Sequence, residues 1–195
     1  MKISFPSVLA WLAFLAVLIY FSSDTQAQMK DTGVFIGGGV SYAWNNFDTD
    51  DLEKVAGNIS TDDAWGFNLF AGYRFIKYFS LEANHNWYDS FKIDTDNFGS
   101  LDLNVYTLIL DAKAMYPFFE NKLVPYVRLG GGLMHAELEN EDKDGFAGNV
   151  GAGIDYFINQ NISIGIDGKY VWGAIEFNDV QIEYFVGSFV IGFHF

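Results

Sequence analysis

From Gly33 to Phe195, apolar side chains recur at every second position in runs of about ten residues, separated by polar or glycine-rich breaks. In Gly33 to Trp44, Val34, Ile36, Gly38, Val40, Tyr42 and Trp44 form one face against Phe35, Gly37, Gly39, Ser41 and Ala43. Trp65 to Phe75 repeats this, with Trp65, Phe67, Leu69, Ala71, Tyr73 and Phe75 opposite Gly66, Asn68, Phe70, Gly72 and Arg74. Phe79, Leu81, Ala83, His85 and Trp87 then alternate with Ser80, Glu82, Asn84, Asn86 and Tyr88. A period of two belongs to β-strands, whose successive side chains leave opposite faces. Further strands are predicted over Leu103 to Tyr116, Val124 to Ala136, Phe146 to Phe157, Ile162 to Trp172 and about Tyr184 to Phe195, which makes eight in all.

Charge sets the register where the apolar pattern is ambiguous. In Leu103 to Tyr116 both faces carry apolar residues, but only one choice turns Asp111 and Lys113 away from the aromatic side. Arg128 makes the same selection in its strand, grouping with Tyr126, Gly130, Gly132 and Met134. Arg74, Glu82, Asp111, Lys113, Arg128, Asp155, Asp167 and Lys169 thus share the face opposite the aromatics, four cations against four anions. Aromatics make up 18% of the chain and charged residues also 18%, an aromatic excess that suits a lipid-facing surface. Beyond the first two dozen residues no apolar run approaches the roughly 20 that a spanning helix needs. Strands can cross a bilayer only when closed, because hydrocarbon offers an unpaired backbone edge no partner. The expected fold is therefore all-β: an eight-stranded antiparallel transmembrane barrel, an up-and-down meander. A soluble lipocalin-like barrel shares the period, but would have to pack its Trp and Phe into a lumen that eight strands already fill.

Short connections near Lys77, at 117–122 and at 159–161 interleave with long ones at 45–63, 89–100, 137–145 and 173–183. That asymmetry predicts periplasmic turns, external loops and both termini in the periplasm. Trp44, Trp65, Trp87 and Trp172 then fall at strand ends beside the long loops, as an outer aromatic girdle. Residues 1–27 read as a cleaved signal peptide: Lys2, the apolar stretch Val8 to Phe21, and small residues Thr25 and Ala27 before a cut after Ala27. Residues 28–195 are left as one barrel domain. The net charge of −14, with only 11 Lys plus Arg, disfavours nucleic acid as a partner. With no cysteine, thiolate metal sites and disulfides are absent.

The stretches GYRFIKYFSLEANHNWY (72–88), LDAKAMYPF (110–118), PYVRLGGGLMHAE (125–137) and GAGIDYFINQNISIGIDGKYVW (151–172) resemble the small OmpA-like, OmpW-like and opacity-type barrels of the porin family. The resemblance implies a Gram-negative cell envelope, location in the bacterial outer membrane, and contact with outer-membrane lipid and lipopolysaccharide. It also implies that Phe189, Ile191, Phe193 and Phe195 form the terminal signal read by the barrel insertion machinery. It does not transmit an activity, because the family's members differ in role.

No enzyme is expected. Of three histidines, His85 and His135 sit on the outward face, His194 points inward at the periplasmic end, and no nucleophile, base and orienting group assemble. The run Asp94 to Gly99 resembles the start of a calcium loop but has Phe98 and Val105 where oxygen ligands belong. Asp142 to Gly145 reads as a solvated turn. No metal or cofactor is expected. The leading expectation is a structural or surface-interaction protein with acidic external loops and a lumen closed by side chains. The alternative is a narrow channel for small solutes; a lipid-modifying enzyme and a soluble binder rank below both.

Overall fold

A computed structural model describes residues 28–45, 59–61, 63–95, 99–138, 141–177 and 180–195 of this chain. Its strands are β1 (Gly33–Asn45), β2 (Ile59–Thr61), β3 (Ala64–Ile76), β4 (Phe79–Thr95), β5 (Gly99–Met115), β6 (Leu123–Leu138), β7 (Glu141–Phe157), β8 (Ile162–Phe177) and β9 (Val180–His194). Apart from β2, each strand pairs antiparallel with the next in the chain, and β9 returns to pair with β1 from Phe35↔His194 to Asn45↔Tyr184. The result is a closed eight-stranded barrel, with β2 added to the outer end of β4 at Ile59↔Thr95. Closure leaves the wall no free edge, which is what permits strands in hydrocarbon. The predicted signal segment and most of the first long loop lie outside the described residues.

Inside and outside follow the alternation. Along β3 the exposed Trp65, Phe67, Leu69, Tyr73 and Phe75 face out, while Asn68 and Arg74 are buried. Ten residue steps at about 3.3 Å, tilted by about 45°, span some 23 Å, which matches the apolar band of an outer-membrane barrel.

The external loops are corrected by the structure. Where loops were expected at 89–100, 137–145 and 173–183, strand pairing continues almost to the tips: Thr95↔Gly99, Leu138↔Glu141 and Phe177↔Val180. Asp142 to Gly145, expected as a turn, lies within β7. Outside the bilayer, cross-strand hydrogen bonds still satisfy the backbone, so the ladder need not stop where the apolar face stops. A consequence is that Trp87 and Trp172 lie well inside β4 and β8 rather than at their ends, whereas Trp44 and Trp65 do sit near strand ends. Two of these hairpins carry register shifts, between Tyr88 and Phe91 in β4 and between Trp172 and Glu176 in β8. The β4 shift is a bulge that reverses parity, so Tyr88 and Phe91 both face the lumen.

Candidate functional site

The lumen is filled in three layers. Its middle layer holds the charges. Register sets Glu82 directly opposite Asp111, and Lys113 directly opposite Arg128. Like charges so placed repel; the attraction comes from the diagonals. Lys113 Nζ reaches Glu82 Oε2 at 3.1 Å, and Arg128 Nη1 lies 3.4 Å from both Glu82 Oε1 and Asp111 Oδ2. Arg128 Nη2 crosses the barrel to Asp167 Oδ2 on β8 at 2.9 Å. One guanidinium thus joins carboxylates from three strands, a task that its fixed fork of donors suits better than an ammonium.

Neutral groups complete this layer. Asn84 Nδ2 donates to Glu82 Oε1 at 2.6 Å and to Asp111 Oδ2 at 2.7 Å. Tyr126 donates to Asp167 at 2.9 Å, and its ring lies under Lys113 Nζ at 3.9 Å. Gly130 is required here, since a Cβ at that position would come within 2.1 Å of Asp111 Oδ1. Of the eight charged residues singled out by sequence, Glu82, Asp111, Lys113, Arg128 and Asp167 form this continuous ion-paired set. The other three do not join it. Lys169 donates instead to Asn86 Oδ1 at 2.7 Å. Arg74 lies at the periplasmic mouth between the rings of Phe35 and Phe157, 5.7 and 5.6 Å from their centres. Asp155, half-buried, makes no ion pair among the described residues.

Above the charges the lumen is apolar. Tyr88, Phe91, Val105, Ile109, Ile182, Tyr184 and Val186 are its larger members, all buried. Tyr88 and Tyr184 meet edge-on with ring centres 5.2 Å apart. Below the charges, a smaller apolar cluster of Met29, Met115, Val124, Tyr126 and Phe157 closes the periplasmic end. From the charges down toward the periplasmic end lies a lower cavity of about 20 Å³, lined by Arg74, Ser80, Glu82, Arg128 and His194 among others, with room for a single water. Phe91 and Met29 were missed in the sequence reading. Phe91 is displaced by the bulge, and Met29 lies outside any strand, where alternation is silent.

The histidines are scattered. His194 and Ser163 are 2.9 Å apart, buried at the periplasmic end, but the other nitrogen of His194 has no partner among the described residues. His135, outward near the outer end of β6, touches Asp144 at 2.7 Å and Glu137 at 3.2 Å through opposite ring nitrogens. The two carboxylates therefore do not converge on one point. In β9, Phe189 and Ile191 face out with Phe195 beyond the strand, Phe193 is half-buried, and the Phe195 N–H donates to Val34 O at 2.9 Å. The candidate assembly residues thus line the seam where β9 meets β1. On the girdle, Trp44 and Trp65 are exposed and both contact Tyr42, at 5.1 and 5.0 Å; Trp87 and Trp172 are half-buried.

A closed wall, apolar outside and packed inside, defines a membrane β-barrel. The family model of the outer membrane protein beta-barrel domain matches residues 13–195, and the chain belongs to that family. The protein is accordingly an outer-membrane barrel of bacteria. Among solved structures it is similar to Neisserial surface protein A (TM-score 0.62, 15% identity, 85% of this chain and 99% of that one). OprG from Pseudomonas aeruginosa is similar too (TM-score 0.61, 16% identity, 87% and 99%). So is Ail, the attachment invasion locus protein of Yersinia pestis, solved with the heparin analogue sucrose octasulfate (TM-score 0.55, 17% identity, 85% and 100%). At these identities the likeness is one of fold. No curated protein matches the chain.

Proposed function

We propose that this protein is a closed barrel that acts at the cell surface through its acidic external hairpins, rather than as a solute channel. The observation that carries this reading is the three-layered filling of the lumen. An open pore needs a continuous water path, and here an ion-paired layer lies between two apolar ones. The four cations and four anions singled out for the lumen cancel, so the net −14 belongs to the rest of the chain. Asp142 and Asp144 at the outer end of β7 are exposed parts of that excess. An acidic outer face attracts cationic partners, or anionic lipopolysaccharide through bridging divalent ions, and repels polyanions. The sulfated ligand of Ail therefore does not transfer to this chain. Assembly by the barrel insertion machinery through Phe189, Ile191, Phe193 and Phe195 belongs to the same proposal. Purified protein in a planar bilayer should show no stable openings. Steady, reproducible conductance would overturn the closed-barrel reading and put the narrow channel in its place.

A further inference from the structure

Residues 28–32 precede β1 and belong to no strand, yet Met29 is only 2% exposed, as buried as the lumen core. Its side chain caps the cluster of Met115, Val124, Tyr126 and Phe157. Two hydrogen bonds hold the segment: Met29 N–H donates to Asn121 O at 3.0 Å, and Arg74 Nη1 donates to Lys30 O at 2.9 Å. The accepting turn is itself unusual. Phe119, Glu120 and Asn121 take successive φ of 48°, 58° and 63°, a left-handed backbone that non-glycine residues rarely adopt. Strain of this kind persists only where surrounding contacts hold it, and it collects at ligand clamps and switch regions.

We propose that residues 28–32 form a strap that closes the periplasmic mouth of the lumen and releases as a unit, opening the lower cavity to the periplasm. The fastening is slight beside the wall. Among the described residues one buried side chain and two hydrogen bonds hold the strap, whereas every long strand is held by backbone ladders to a neighbour on each side. Segments with so few contacts open first. Release is also poised electrostatically. Arg74 donates its hydrogen bond to a neutral carbonyl of the strap, with the exposed Asp31 of the strap as a nearby opposite charge, and water entering the mouth would replace that acceptor and hydrate the cation. The mouth can therefore open without stranding a buried charge, while the paired layer around Arg128 stays shut. This inference concerns access from one side and does not depend on whether the barrel conducts.

Because the chain contains no cysteine, one introduced thiol reports access cleanly. Ser80 lines the cavity and its hydroxyl has no hydrogen-bond partner among the described residues, so Ser80→Cys breaks none of the bonds they make. The full protein in nanodiscs is exposed to a charged methanethiosulfonate reagent, with folding checked by heat-modifiable gel mobility. Thiol labelling in Ser80→Cys should be slow. Adding Met29→Asp, or Met29→Gly should the aspartate variant not fold, should speed it by roughly tenfold or more, as expected for loss of a local opening barrier. Adding Met29→Leu, which keeps an apolar side chain of similar volume, should leave the rate near that of Ser80→Cys alone. Equal rates in all variants, uniformly fast or uniformly slow, would overturn the strap. Bilayer recording separates the two proposals. A strap variant that labels fast without conducting supports both, while conductance by the wild type removes the closed-barrel reading and leaves the strap to be judged by labelling alone.

Discussion

The middle and outer layers of the lumen are equally buried but are held by opposite kinds of force. Around Arg128 the contacts are directional and mutually dependent: Glu82 and Asp111 sit opposite each other with the Arg128 guanidinium and the Asn84 amide both bridging them. Around Tyr88, Phe91 and Tyr184 the contacts are those of packing, where shape matters and no single partner is obligatory. The paired layer should therefore fail when one partner is lost, whereas the apolar layer should tolerate changes that conserve volume.

The largest expected effect is that of Arg128→Ala. It takes a shared cation from three buried carboxylates, leaving Asp111 and Asp167 without an ion pair among the described residues and Glu82 with Lys113 alone, and removing one partner of a buried pair costs about 3–5 kcal/mol. Urea unfolding of the folded barrel in detergent measures it; a loss below about 1 kcal/mol would mean the layer is hydrated and its pairs nominal. A volume-conserving swap in the apolar layer, Ile182→Leu, should cost under about 1.5 kcal/mol in the same assay. If it matched Arg128→Ala, the contrast between the layers would be wrong. The smallest effect sharpens the comparison. The Tyr88 hydroxyl is buried in the apolar layer without a hydrogen-bond partner among the described residues, so Tyr88→Phe should be neutral or slightly stabilising, because it removes an unsatisfied polar group. A clear destabilisation would place an ordered water on that hydroxyl.

Much of this architecture is legible residue by residue. The alternation of Trp65 to Phe75 marks a wall with two unlike faces, and Asp111 with Lys113 picks the register of a strand that is apolar on both sides. The lengths of the hairpins are not legible, because ladder pairing in water asks nothing of the side-chain pattern beyond the bilayer. The apolar outer layer is only half legible. Tyr88 follows the alternation, but Phe91 reaches the lumen through a bulge that no period of two foresees.

What the sequence determined by itself is the closed eight-stranded wall and the assignment of its faces. Both rest on a local property, a period of two, and on the cost of leaving charge or unpaired backbone in hydrocarbon. The partners inside were decided by the tertiary structure alone. Arg128 meets Asp167 across the barrel although 39 residues separate them in the numbering, and Met29 closes a mouth built from β5, β6 and β7. Such contacts depend on closure and relative strand stagger, which bring distant positions within a few ångströms only once the ladder has returned from β9 to β1.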